Sequence, residues 1–297
     1  MDSTGIAFRC SLPDCRLDQA WDAIKIADQV RKRLLAQALL SLTVRQKISF
    51  EAAPLHGLII LSGLPGTGKT TLARGLANRV AVALPHEKTQ FIQIDTHGLS
   101  SSALGQSQKQ VTKLFRQTIP EAAMNGPCIV LLDELETLAV DRHRLSLEAN
   151  PIDVHRATDA VLTGLDQLTL EHNKVLIVAT TNFQDAVDKA LLSRADLIEE
   201  IGLPDAVARH EIIADALSKL AAVWPKVSRL EGDIASFVKA SEGLDGRRLR
   251  KAIIMAAAGS VETAQDLNRL TTHQILAALK SARLNIGEEH HESTKRH

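Results

Sequence analysis

The stretch that most restricts what this chain can fold into is LIILSGLPGTGKTT, residues 58–71. An apolar run breaks into a Gly- and Pro-rich loop and then meets Lys-Thr-Thr. Residues 63–70 satisfy the spacing G-x-x-x-x-G-K-[ST]. Glycine has no Cβ, so Gly63, Gly66 and Gly68 permit backbone shapes in which N–H groups converge on phosphate oxygens. Lys69 adds positive charge at the β- and γ-phosphates, and Thr70 is placed to ligate Mg²⁺. Pro65, Thr67 and Thr71 complete the expected nucleotide-binding set. The helix expected next, TLARGLANRVA, turns its positive end toward the same anions. Such a loop works only between a buried strand and a helix, and both are legible here.

Five apolar segments read as strands: 55–62, 91–95, 128–133, 175–181 and 197–201. Continuous runs such as CIVLLD and VLIVATT suit strands covered on both faces, as in parallel sheets flanked by helices. Helix-like segments alternate with them, which predicts an α/β domain with a mainly parallel five-stranded sheet. Strand signals stop after Pro204, and the chain then reads as helices. The expected organisation is a flexible N-terminus over 1–16, a large α/β domain over 17–204, a helical lid over 205–284 and a polar tail over 285–297. One packing helix is expected across residues 17–42.

Further polar residues fall at the ends of these strands. CIVLLDEL ends in Asp133 and Glu134. Asp133 is expected to contact Mg²⁺, through water, and Glu134 to polarise an attacking water; a second carboxylate beside the first points to hydrolysis. Asn182 closes VLIVATTN and is placed to orient that water. Arg194, in LLSRADLIEE, follows the next helix and is expected to reach a neighbouring copy's γ-phosphate. Arg247 and Arg248, in GLDGRRLRKA, stand near a helix start, where positive charge gains nothing from the dipole. A bound phosphate would account for them.

These elements, in this order, resemble the AAA+ ATPases: Walker A, Walker B, sensor 1, arginine finger and a helical lid with sensor 2. The stretches NPIDVHRATDAVLTGLDQL, VLIVATTNFQDAVDKALLSRADLIEEIGLP and SEGLDGRRLRK are similar to the pachytene checkpoint family, the thyroid-receptor-interacting AAA+ proteins. That resemblance assigns Arg247 to sensor 2. It implies an ATP- and Mg²⁺-dependent homohexameric ring that partly unfolds HORMA-domain proteins. The compact build resembles bacterial members that act in anti-phage defence, where the HORMA protein binds a cyclic-oligonucleotide synthase. It also implies a substrate-gripping pore loop at Ala103, Leu104 and Gly105, where ring unfoldases usually carry an aromatic in place of Ala103. A second pore loop is expected around Arg142, His143 and Arg144.

Composition weighs against several other classes. Of 297 residues, 45% are hydrophobic, and 35 Lys+Arg balance 35 Asp+Glu. No net positive charge favours a nucleic-acid partner, and six Phe, two Trp and no Tyr give few stacking surfaces. Three cysteines, Cys10, Cys15 and Cys128, do not form a disulfide framework. No apolar run approaches the roughly 20 residues of a membrane span, so the cytoplasm is the expected compartment. The rival readings are a AAA+ motor working on another protein or on DNA, a nucleotide-gated binding module, and a small-molecule kinase.

Overall fold

The computed structural model describes residues 5–84, 88–100, 106–140 and 151–294. Six strands form one sheet: β1 (Ile6–Leu12), β2 (Leu58–Ser62), β3 (Thr89–Ile94), β4 (Cys128–Leu132), β5 (Val175–Thr181) and β6 (Leu197–Glu200). Their spatial order is β1-β3-β4-β5-β2-β6. Neighbours pair in parallel, except that β1 runs antiparallel to β3. The five expected strands are all present. In β2, β4 and β5 every residue is buried, as the continuous apolar runs require.

The sixth strand corrects the sequence reading, which took residues 1–16 as irregular. Ile6, Phe8, Cys10 and Leu12 alternate with Ala7, Arg9 and Ser11, and exposure alternates with them. That is the period-two signature of an edge strand with one face packed. Phe8 packs its ring against Phe91 of β3, with centroids 6.1 Å apart.

Helices between the strands are α1 (Cys15–Ala23), α2 (Asp28–Val44), α3 (Lys69–Ala83), α4 (Thr96–Ser100), α5 (Gln106–Lys113), α6 (Ile119–Ala123), α7 (Pro151–Glu171) and α8 (Lys189–Leu192). A second difference lies here. The single helix expected over 17–42 is two, broken at residues 24–27. Ile24 and Ile26 continue the apolar pattern, so periodicity alone hides the break. Between α5 and α6 the helix widens to a π turn over Leu114–Thr118. Pro120 has no N–H to give the carbonyl four residues back, which removes one α-type bond there.

From residue 202 the chain is helical: α9 (Ala206–Ala221), α10 (Ile234–Ala240), α11 (Gly246–Met255), α12 (Val261–Gln265) and α13 (Thr272–Thr294). No proline interrupts α13, which continues past the expected end at Leu284. The chain clusters into two compact units. One holds residues 1–23, 27–64 and 69–201, and the other holds 24–26, 65–68 and 202–297. The second unit has its own core, including Ile213, Leu217, Phe237, Leu249, Ile253 and Leu279.

The start of β2 is fixed by a buried cation. Arg45, at the end of α2, donates from Nη1 to the Val175 carbonyl at 2.6 Å. Gly57 makes room for it: φ is +74°, and a Cβ there would lie 2.0 Å from Arg45 Nη1 and 2.9 Å from the Val175 oxygen. Gly57→Ala is expected to lower the urea midpoint by the equivalent of about 1–3 kcal/mol, from backbone strain and displacement of Arg45. An unchanged midpoint would show that neither constraint acts.

Candidate active site

Parallel strands put their carboxyl ends on one side of the sheet, where crossover loops form a ligand crevice. Lys69, Asp133, Glu134 and Asn182 sit at or just past the ends of β2, β4 and β5. Lys69 opens α3 and is nearly fully buried. Its ammonium donates to the carbonyls of Gly63 (2.8 Å) and Leu64 (2.9 Å) and to Asn182 Oδ1 (2.9 Å). Thr70 donates to Asp133 Oδ1 at 2.8 Å. Thus Lys69, Asn182, Thr70 and Asp133, singled out at separate points of the sequence, form two touching pairs.

Glycine is required in the loop for a steric reason. Within the second unit, a Cβ on Gly66 would lie 2.5 Å from Asp245 Oδ1, and one on Gly68 would lie 2.4 Å from Ile24 Cδ1. Both glycines also have positive φ, +86° and +94°. Asp245 caps α11 by accepting the Arg248 N–H at 2.9 Å. Arg247 lies exposed in the first turn of that helix. Sequence reasoning did not single out Asp245 or the break at residues 24–27, where the sequence signal is Asp28, an acidic residue in the first turn of α2.

Glu134 adopts φ +54°, ψ +60°, and is the single non-glycine residue with positive φ among the described residues. This left-handed geometry costs about 1–3 kcal/mol and persists only where surroundings over-determine it. Three contacts do so. Its N–H donates to Thr180 Oγ1 at 3.2 Å. Its carbonyl accepts from the Thr137 N–H (2.9 Å) and hydroxyl (2.8 Å). Its carboxylate meets His97 Nε2 at 2.5 Å. Thr96 donates to the Asp133 carbonyl at 2.6 Å, so the first two residues of α4 hold both carboxylate positions. Glu136 accepts the Asn182 N–H at 3.1 Å and joins the ends of β4 and β5.

Arg194 stands apart from this cluster. It grips Asp166 of α7 with Nε (2.7 Å) and Nη2 (2.8 Å) and donates from Nη1 to the Ala190 carbonyl (2.7 Å). The guanidinium holds the Asp166 carboxyl below its ordinary value of 3.8. A depressed carboxylate pKa favours the folded state above the unfolded value, and that contribution fades as pH falls through the folded value. The pair therefore stays ionised across neutral and mildly acidic buffers. Ala103, Leu104, Gly105 and residues 142–144 lie outside the described residues.

The phosphate loop, the paired carboxylates and the polar strand end define an ATP-hydrolysing P-loop domain. Residues 59–203 match the family model for AAA, the ATPase family associated with various cellular activities. CD-NTase-associated protein 6 of Pseudomonas aeruginosa is 47% identical over 281 residues, covering 94% of this chain and 92% of that protein. The rat pachytene checkpoint protein 2 homolog is 31% identical over 273 residues, covering 83% of this chain but 63% of its own length. The solved structure of C. elegans PCH-2 superposes with a TM-score of 0.75 at 25% identity, covering 93% of this chain and 74% of that one. A chain from the E. coli MS115-1 HORMA:CdnC:Trip13 complex shares the fold, with a TM-score of 0.73 at 19% identity, covering 94% and 95%. This chain belongs to the AAA ATPases, in the group that holds CD-NTase-associated protein 6 and the pachytene checkpoint proteins, and it is a nucleotide-binding ATPase. Among the described residues, no helix is long and apolar enough to cross a membrane.

Thr180 is the most testable residue that sequence reasoning passed over. It donates to Asp133 Oδ1 at 2.5 Å while accepting the Glu134 N–H. Hydrogen bonds to charged groups are worth about 1.5–3 kcal/mol, so Thr180→Val is expected to slow ATP turnover about 10- to 100-fold. Thr180→Ser should retain most of the rate. Steady-state phosphate release on both variants checks this.

Proposed function

We propose that this chain is the motor subunit of a homohexameric ring that uses ATP to remodel a HORMA-domain protein. In this reading it partly unfolds that protein and disassembles its complex with a cyclic-oligonucleotide synthase, in the cytoplasm, as part of anti-phage defence. The observation that carries the proposal is the 47% identity, across nearly the whole of both chains, to a protein named for association with a CD-NTase. The E. coli chain of the same fold was solved with HORMA and CdnC, which indicates what partners to offer this one.

The chemistry follows from the residues. Gly63, Pro65, Gly66, Thr67, Gly68 and Thr71 would wrap the phosphates, with Lys69 exchanging a carbonyl for a phosphate oxygen. Ile24, whose side chain lies beside Gly68, offers an apolar surface suited to the base. Thr70 and Asp133 already share a hydrogen bond, and a hydroxyl with a carboxylate is a hard-oxygen set that fits Mg²⁺. When bound there, Mg²⁺ would neutralise charge developing on the phosphates. Glu134 would take a proton from the attacking water, and Asn182 would hold that water in line. Arg194 would enter a neighbouring copy's site, and Arg247 would report phosphate to the lid. Leu104, flanked by Ala103 and Gly105, would grip substrate.

Glu134→Gln is expected to bind ATP but not hydrolyse it, and to retain its partner. Pull-down of that form with ATP from the native cell should recover a HORMA-domain protein. Recovery of DNA or of an unrelated protein would favour a different AAA+ motor. Wild-type turnover in Glu134→Gln would remove Glu134 from the mechanism.

A further inference from the structure

Arginine carries five N–H groups in a rigid plane. The contacts of Arg194 with Asp166 and Ala190 engage three of them. Asp166 takes the Nε–Nη2 edge side-on, in the bidentate geometry that fixes a guanidinium most firmly. Two N–H groups remain to be offered elsewhere, and the plane in which they lie is set by Asp166.

The backbone under Arg194 is equally constrained. Asp188 caps α8 by accepting the Ala190 N–H at 2.8 Å, and its own N–H donates to the Ala139 carbonyl at 2.9 Å. Two residues beyond Arg194, Asp196 accepts the N–H groups of His56 (2.8 Å) and Gly57 (2.7 Å), which lead into β2. The chain is therefore pinned before and after Arg194, and Asp166 pins the side chain itself. The pair is partly accessible, with 25% of the Arg194 and 45% of the Asp166 side chain open. A guanidinium held this firmly, with N–H groups still to offer, suits a catalytic cation, which gains from being preorganised.

We propose that Asp166 is a positioning residue for ATP hydrolysis: it aims the guanidinium of Arg194 at the nucleotide held by an adjacent copy. This rests on the reading of Arg194 as the residue supplied between copies. Asp166 touches no phosphate in this scheme. It fixes which edge of Arg194 stays open, and it sits on α7, so the finger takes its orientation from a long helix rather than from its own loop.

The test uses the assembled full-length chain and steady-state ATP hydrolysis. Asp166→Ala is expected to lower kcat at least tenfold with KM for ATP changed less than twofold. Asp166→Asn, which keeps the shape and one acceptor oxygen, should fall between. Arg194→Ala should lose at least as much as Asp166→Ala. Mixing Asp166→Ala with Glu134→Gln subunits should restore turnover, because the intact Arg194–Asp166 pair of the Glu134→Gln copy serves the intact site of its neighbour. A merely structural ion pair would give no such rescue. Normal kcat in Asp166→Ala, with Arg194→Ala inactive, would overturn the positioning role and leave Arg194 in place. Normal kcat in Arg194→Ala would overturn both. Loss in Asp166→Ala without rescue, while Arg194→Ala is rescued by the same mixing, would also overturn the role of Asp166.

Discussion

A buried ammonium must find acceptors, and much of this site follows from how Lys69 finds them. The side chain leaves the first turn of α3 and is 5% exposed. An unpaired charge at that depth would cost several kcal/mol. Two carbonyls of its own loop and Asn182 Oδ1 supply the partners. The loop is thereby folded back on its lysine, and the end of β5 is tied to it. Because β5 lies between β4 and β2, the same strand can also brace the carboxylates: Thr180 is two residues before Asn182 and contacts Asp133. One charge requirement thus organises three strand ends. A phosphate replacing any one of the acceptors would be felt at the others.

The second organising feature is the strain at Glu134. A carboxylate residue in left-handed geometry does not follow from the strand before it, which is regular and fully buried. It follows from tethers on either side, Thr180 on one and Thr137 and His97 on the other. The carboxylate is turned out of the strand direction and remains partly accessible. The proposed role of Glu134 requires it to reach water, and a regular continuation of β4 would carry the backbone straight on instead of turning it at this residue.

The sequence made the framework legible because buried parallel strands are written as unbroken apolar runs, which few other elements share. The two failures have different causes. β1 alternates rather than runs, and its polar half drew the reading toward irregular chain. At residues 24–27 the apolar spacing continues while the backbone does not, so a pattern-based helix spans a real break. Within the site, Lys69, Thr70, Asp133, Glu134 and Asn182 stood out because the roles proposed for them, toward a phosphate, a metal or water, restrict residue type. Thr96, His97, Thr180 and Glu136 act on other side chains. A threonine in a strand or a histidine after one satisfies so many local demands that its type carries little information until the fold brings its partner near.

Asp166 and Arg194 show the same limit most plainly. They are 28 positions apart, on α7 and just beyond α8, and neither helix pattern hints that they meet. An arginine after a strand–helix unit can be read as a finger from its motif. Its aim cannot, since a side chain with four torsions points nowhere until something holds it. Here the holder is a carboxylate on the helix that precedes β5. The strand that delivers Asn182 and the helix that orients Arg194 are therefore consecutive in the chain. In the proposed ring, α7 and β5 of one copy would thus bear on two sites, Arg194 on a neighbour's and Asn182 on its own.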